Sequence, residues 1–222
     1  MKRLLALIVP VLFVFSCELD DSFPQTETIT SGIKWTLQIG SSPVEVYSQL
    51  QELGIEKNFD DISVAYRQPF SKPEEIQSDL GLYRSITLKK TSGRTERALI
   101  QFNQDKVSSI EEGGALLNII SKWPVETPNE TSILLDDSIE ILHQKLLAIY
   151  QIPTYQDYQI VLSNKWLQKS YDPDMNNYIE WAFAFSEDIN FSTVGLSSVN
   201  LFFKNGKLSK IIHRYNEAEV VY

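Results

Sequence analysis

The groups able to attack a carbon, relay a proton or hold a metal are few in this chain: one cysteine, Cys17, and two histidines, His143 and His213, among 29 carboxylates. A thiol at Cys17 is chemically an acyl acceptor or a nucleophile, yet no histidine lies near it in sequence to take its proton. His143 falls on the apolar side of a helical pattern with Ile139 and Leu146, where a hydrogen-bonded packing role is expected rather than a base. His213 sits beside Arg214 at the end of a β-prone run, a surface position. The pairs Asp60-Asp61 and Asp136-Asp137 stand where loops open helices, so capping accounts for them. Ser31-Gly32-Ile33-Lys34 matches a Ser-x-x-Lys nucleophile motif without its companions, and no Gly-x-Ser-x-Gly or His-Glu-x-x-His pattern occurs.

Asp172-Pro173-Asp174-Met175-Asn176-Asn177 alternates oxygen side chains like the first half of a calcium loop. Asn177 takes the place of the required glycine and Phe183 that of the closing glutamate, so a polar turn is expected and no metal or cofactor is assigned. No motif names a reaction, and the chain reads as a non-enzyme. The remaining candidates are aromatic. Tyr155, Tyr158, Trp166 and Tyr171 crowd a short stretch, and such rings anchor protein interfaces or stack on sugars. These four are the candidate partner or ligand contacts.

Cys17 has a clearer meaning in context. Lys2-Arg3, an apolar run from Leu4 to Phe15 and Ser16 precede it, the layout of a secretory signal whose apolar run is too short to span a bilayer. Val14-Phe15-Ser16-Cys17 resembles the lipobox of bacterial lipoproteins. That resemblance implies cleavage before Cys17, acylation such as palmitate on its sulfur and new N-terminus, and a lipid anchor in the cell envelope, most simply the outer membrane. With the thiol consumed, the mature chain has no disulfide to draw on. Glu18 to Thr28 is acidic and polar and reads as a flexible tether. The net charge of −9 repels phosphate backbones, which excludes nucleic acid as a partner.

The elements that must position any site recur along the chain. Ser42-Pro43-Val44-Glu45 opens a helix with an N-cap, a proline in the first turn and a capping box, and Gly54 closes it. Asp137-Ser138-Ile139-Glu140 repeats the device, with Ile139, Leu142, Leu146 and Ile149 as its apolar stripe. Tyr83 and Tyr178 each open a β-prone run, and Phe102 to Ile110 aligns with Phe203 to Ile211. Asn205-Gly206 predicts a tight hairpin of type I′. Strands are expected near 62–67, 82–89, 97–103, 106–111, 158–167, 178–185, 198–204 and 207–214, with a further strand at 35–39 and a short helix over 115–122.

The expected fold is therefore α+β: two tandem repeats, each one helix packed on an antiparallel meander of about four strands. The layout is a signal peptide at 1–16, lipidated Cys17 with its acidic tether over 17–32, a first repeat at 33–122, a linker at 123–135 and a second repeat at 136–222. This arrangement resembles the β-lactamase-inhibitor proteins and the small lipoproteins of the outer-membrane β-barrel assembly machinery, over residues 33–215 and as architecture alone. It implies a protein-binding or assembly module with a partner in the envelope. A second reading is a surface lipoprotein that binds glycan or a small ligand through the aromatic second repeat.

Overall fold

A computed structural model describes residues 23–91 and 96–219 of the chain. The leader and Cys17 lie outside the described residues. Among those described, no helix is long and apolar enough to cross a membrane.

Fourteen strands and two helices alternate as β1 (Gln25–Ile29), β2 (Ile33–Lys34), β3 (Leu37–Gln38), α1 (Pro43–Lys57), β4 (Asp61–Val64), β5 (Tyr83–Lys90), β6 (Arg97–Asn103), β7 (Lys106–Gly113), β8 (Leu117–Ile120), β9 (Lys122–Trp123), β10 (Ile133–Leu134), α2 (Ile139–Ile149), β11 (Tyr158–Trp166), β12 (Glu180–Asn190), β13 (Thr193–Lys204) and β14 (Lys207–Glu219). Ten of the strands form one antiparallel sheet in the order β1-β14-β13-β12-β4-β11-β5-β6-β7-β8. The protein is mainly β, and the expectation of two α+β repeats, each a helix on its own meander, is overturned. Each helix lies across the strands of the other half. Val46, Tyr47, Leu50 and Leu53 of α1 pack on Trp181, Phe183, Val199 and Leu201 of β12 and β13. Leu142, Leu146 and Ile149 of α2 pack on Ile86, Leu88, Ile100 and Ile110 of β5 to β7.

Connection length is the physical cause. Only three residues separate α1 from β4, so helix and strand travel together, and β4 pairs with β12 of the second half. After a longer connection of eight residues, α2 is followed by β11, which pairs with β5 of the first half. The two exchanged strands then meet, Asp61 and Ile62 opposite Trp166 and Lys165, and fuse the halves into one sheet.

Local signals are otherwise obeyed. Ser42 caps α1, with its hydroxyl accepting from the Glu45 N–H while the Glu45 carboxylate accepts from the Ser42 N–H at 2.6 Å. The helix passes through Gly54 and ends at Asn58, whose left-handed backbone (φ 57°) turns its N–H onto the Gly54 carbonyl. Ser138 caps α2 by accepting from the Ile141 N–H. Asn205 and Gly206 both have positive φ, 52° and 67°, as the predicted hairpin requires.

Several segments differ from expectation. The strand expected at 35–39 is instead a small hairpin, β2 pairing with β3 around a turn at Trp35 (φ 52°). The run Leu117–Ile120, expected as helix, is edge strand β8, because β7 offers it a free ladder of backbone groups. Gln25–Ile29, within the stretch expected as tether, pairs with β14 as β1. The segment 123–135, expected as a linker, closes on itself: β9 pairs with β10, Trp123 is buried, and the buried Ser132 hydroxyl bonds the Pro124 carbonyl at 2.9 Å.

Candidate functional site

The halves are joined by a narrow waist. β4 has four residues, of which two pair with β11 and two with β12. β4 ends at Val64. Ala65 makes one more bond, its N–H donating to the Glu180 carbonyl at 2.9 Å. Tyr66 then turns the chain out with φ 58°, and Phe70 rejoins β11 by exchanging bonds of 2.8 and 2.9 Å with Ile160. A bulky side chain at positive φ is costly and is retained where the surroundings hold it.

Beneath this arch lies a buried ionic cluster that ties both halves together. Arg67 follows Tyr66 inward, and its side chain is 1% exposed. Its Nη2 donates to Asp172 Oδ2 at 3.0 Å and forms an ion pair with Asp174 Oδ2, also at 3.0 Å. Its plane lies against Tyr83 at 4.5 Å, with the Phe70 and Tyr178 rings farther out. The Tyr83 hydroxyl also donates to Asp172 Oδ2. Alongside, Lys165 is fully buried on β11 and donates to the Tyr47 hydroxyl at 2.8 Å and the Trp166 carbonyl at 3.0 Å. The Tyr47 hydroxyl donates a hydrogen bond to the Trp166 or Lys169 carbonyl, 2.9 and 3.0 Å away.

Burial pulls Lys165 down to about 8, Asp172 opposing and Arg67 assisting. Burial likewise raises the Tyr47 phenol, with the Asp172 charge adding to it. The cluster joins α1, β5, β11 and the 172–177 turn, and its groups are engaged with one another. Asp172 and Asp174, weighed above as calcium ligands, instead neutralise Arg67. Asp172 also caps the 3₁₀ turn Pro173–Asn177, its Oδ1 accepting from the Asp174 N–H at 2.9 Å. Two Arg67 nitrogens, Nε and Nη1, have no hydrogen-bond partner among the described residues.

Above the cluster a groove of about 760 Å³ opens between the arch and the turn that leads into β12. Tyr66 and Ile179 stand on its walls, 80% and 68% exposed, over Pro69, Phe70 and Tyr178. The volume falls within the range of ligand sites, and an aromatic beside an aliphatic, both projecting into solvent, is the composition of an interface anchor. The sheet face turned away from the helices is different in kind. Its centre is small and polar, with Ser63, Ser85, Ser163, Ala182 and Ser198 lining two smaller hollows, of about 480 and 570 Å³, that share Asp61. Burial, and Asp60 next door, raise the Asp61 carboxyl, while Arg84, paired to Asp60, opposes them.

The four aromatic residues singled out from sequence do not form one site. Tyr155 and Tyr158 lie tilted against each other, ring centres 5.7 Å apart, and both meet Trp123 edge-on in the core beneath α2. The Tyr158 hydroxyl donates to Glu96 at 3.3 Å and that of Tyr155 to Glu126 at 3.1 Å. Burial, and for Tyr155 the Glu126 bond, raise both phenols, Tyr155 to about 12. Trp166 lies between the Arg84 and Lys169 cations at 5.3 and 4.9 Å. Tyr171 rests on Tyr47 in the other core and donates to Asn176 at 2.8 Å. His143 is buried with Nε2 3.0 Å from the Pro73 carbonyl, in the packing role expected. His213 lies inside β14, not at a strand end: Ser197 is at 3.0 Å, the Trp35 ring at 4.9 Å, and burial lowers its pKa.

Tyr66, Arg67, Lys165 and Ile179 were not legible as a site. Tyr66-Arg67-Gln68-Pro69 carries one usable signal, a proline that ends any strand, and nothing in it announces the positive φ. No family model, no curated protein and no solved structure matches this chain.

Proposed function

We propose that this protein is a non-catalytic binding module of the cell envelope, held at a membrane by acylated Cys17, and that the groove under Tyr66 is where it meets a protein partner. One observation carries the proposal. A tyrosine is kept at φ 58° and 80% exposed above a groove whose other wall is exposed Ile179. A strained, solvent-facing aromatic is disfavoured on stability grounds alone, which supports selection for contact. The buried cluster below supports a binding rather than a chemical role, since its carboxylates, lysine and phenols are tied in ion pairs and hydrogen bonds that hold the arch in place.

A photo-crosslinking residue at position 66 of the full-length protein, expressed in its own cells, is expected to give a discrete adduct that Ile179→Glu abolishes. The same residue at Ser198, on the polar sheet face, is expected to give none. Equal adducts at both positions, or none at 66, would overturn the assignment. The anchor is tested separately: labelled palmitate should enter the wild type and not Cys17→Ser.

A further inference from the structure

We infer that the segment bound in the Tyr66 groove is an extended peptide carrying a lysine or arginine next to apolar side chains, an inference that rests on the binding role proposed above. The groove is acidic and apolar at once. The charged side chains lining it are Glu75 and Asp174, and no basic residue lines it. Asp174 is already committed, one oxygen to Arg67 at 3.0 Å and the other to the Asn177 amide at 2.9 Å. Glu75 is exposed on the 3₁₀ turn Pro73–Ile76 and makes no ion pair or side-chain hydrogen bond among the described residues. The buried cation Arg67 is taken up by Asp172 and Asp174, so among the described residues Glu75 keeps no counter-charge.

A cation entering here finds Glu75 as its counter-charge and the exposed Tyr66 ring as a face to lie on, the pairing that aromatic rings offer to guanidinium and ammonium groups. The chain's charge of −9 adds long-range attraction of the same sign. Size sets the rest of the ligand. A lone amine would fill a small part of about 760 Å³, whereas a few residues of extended chain occupy it and cover Ile179 and Phe70 with apolar side chains. A folded basic domain would find no matching flat area, because the groove is walled by the arch on one side and by the turn before β12 on the other.

The test selects phage-displayed random heptapeptides on the immobilised full-length protein, then titrates the synthetic winners into wild type, Tyr66→Ala and Glu75→Lys. The expected winners contain Lys or Arg beside Leu, Ile, Phe or Trp. They should bind at least tenfold more weakly to both variants and several-fold more weakly as salt is raised from 50 to 500 mM. Winners without a basic residue that still lose binding on Tyr66→Ala would overturn the charge assignment and leave the groove as the contact surface. Winners indifferent to Tyr66→Ala, or a screen that yields none, would overturn the inference and the groove together. Both substitutions are at exposed side chains, and an unchanged urea midpoint for Glu75→Lys confirms that lost binding is not lost folding.

Discussion

The two hydrophobic cores fill similar spaces with different materials. Beneath α2 the contact of helix with sheet is aliphatic: Ile86, Leu88, Ile100, Ile110, Leu142, Leu146 and Ile149 are all fully buried, Tyr155 and Tyr158 meet Trp123 at one corner, and Tyr83, Phe102 and Tyr150 are buried in the same core. Beneath α1 it is aromatic. Trp181 and Phe203 meet at 4.4 Å, Phe59 stacks on Phe183 at 4.7 Å, and Trp35 meets Phe185 edge-on at 5.6 Å. Phe183, Phe185 and Phe203 keep a few per cent of their surface in solvent. Branched aliphatics close a helix-on-sheet space completely, whereas large flat rings reach its margins and cover more area per residue. The ionic cluster touches both cores, the aromatic one through Tyr47 and the aliphatic one through Tyr83. The strained arch thus stands at the border of the two.

The largest expected effects probe that contrast directly. Trp181→Ala should cost about 4 kcal/mol and Leu146→Ala about 3 kcal/mol, read from urea unfolding. Because each helix belongs to the other half's core, both variants should unfold in one transition whichever core is damaged. Two resolved transitions in either would show that the cores are independent.

The next effect follows pH. Lys165 has its folded pKa depressed to about 8 from an ordinary 10.5, so burial penalises its charged form, and that penalty is in full force below pH 8. Between 8 and 10.5 the unfolded chain holds the proton that the folded chain has released, and stability rises with pH by at most about 3 kcal/mol. Tyr47, Tyr150 and Tyr158 act oppositely, since their folded pKa values lie above the unfolded 10.0 and stability falls as pH passes it. Maximum stability is therefore expected on the alkaline side, near pH 9 to 10, and Lys165→Met should flatten the rise that precedes it. A maximum near neutrality in the wild type would contradict the buried charge.

Gly54 gives a smaller effect. An added Cβ there would meet the Phe59 carbonyl oxygen at 2.5 Å, so Gly54→Ala should destabilise by about 1 to 3 kcal/mol instead of gaining helix propensity. The caps are weaker again. Ser42→Ala should cost about 1 kcal/mol, and Ser138→Ala less, since the third position of α2 is Ile141 and only α1 has a glutamate there to complete the capping box. Smallest of all, Tyr66→Gly should leave stability within about 1 kcal/mol of wild type, or raise it, while binding is lost. A large destabilisation would assign Tyr66 to the fold and not to a partner.

Much of this was legible locally. Ser42-Pro43 with Glu45, Asn205-Gly206 and the alternation in 97–103 specify caps, hairpin and strand through neighbours a few residues apart. Sheet order was not legible, because the repeated pattern fits own-half and exchanged packing equally well and loop length decides between them. Leu116 to Ile120 suits a helix as well as a strand until β7 is placed beside it. Arg67 and Asp172 are 105 residues apart, and nothing near either one names the other. The groove inherits that invisibility, since it exists only where two distant segments diverge.

The exchange of helices also fixes an order of events in time. α1 is made early, but the strands it covers run from Trp181 to Ile211 and are made last. Chains generally fold as their domains emerge, and non-local pairings are slow. This chain has no early domain to complete, and its first helix must wait for nearly the whole polymer. A stalled or clipped product leaves the stripe of Val46, Leu50 and Leu53 uncovered. The cover of an early helix thus depends on strands far along the chain, a non-local contact that local signals alone cannot complete.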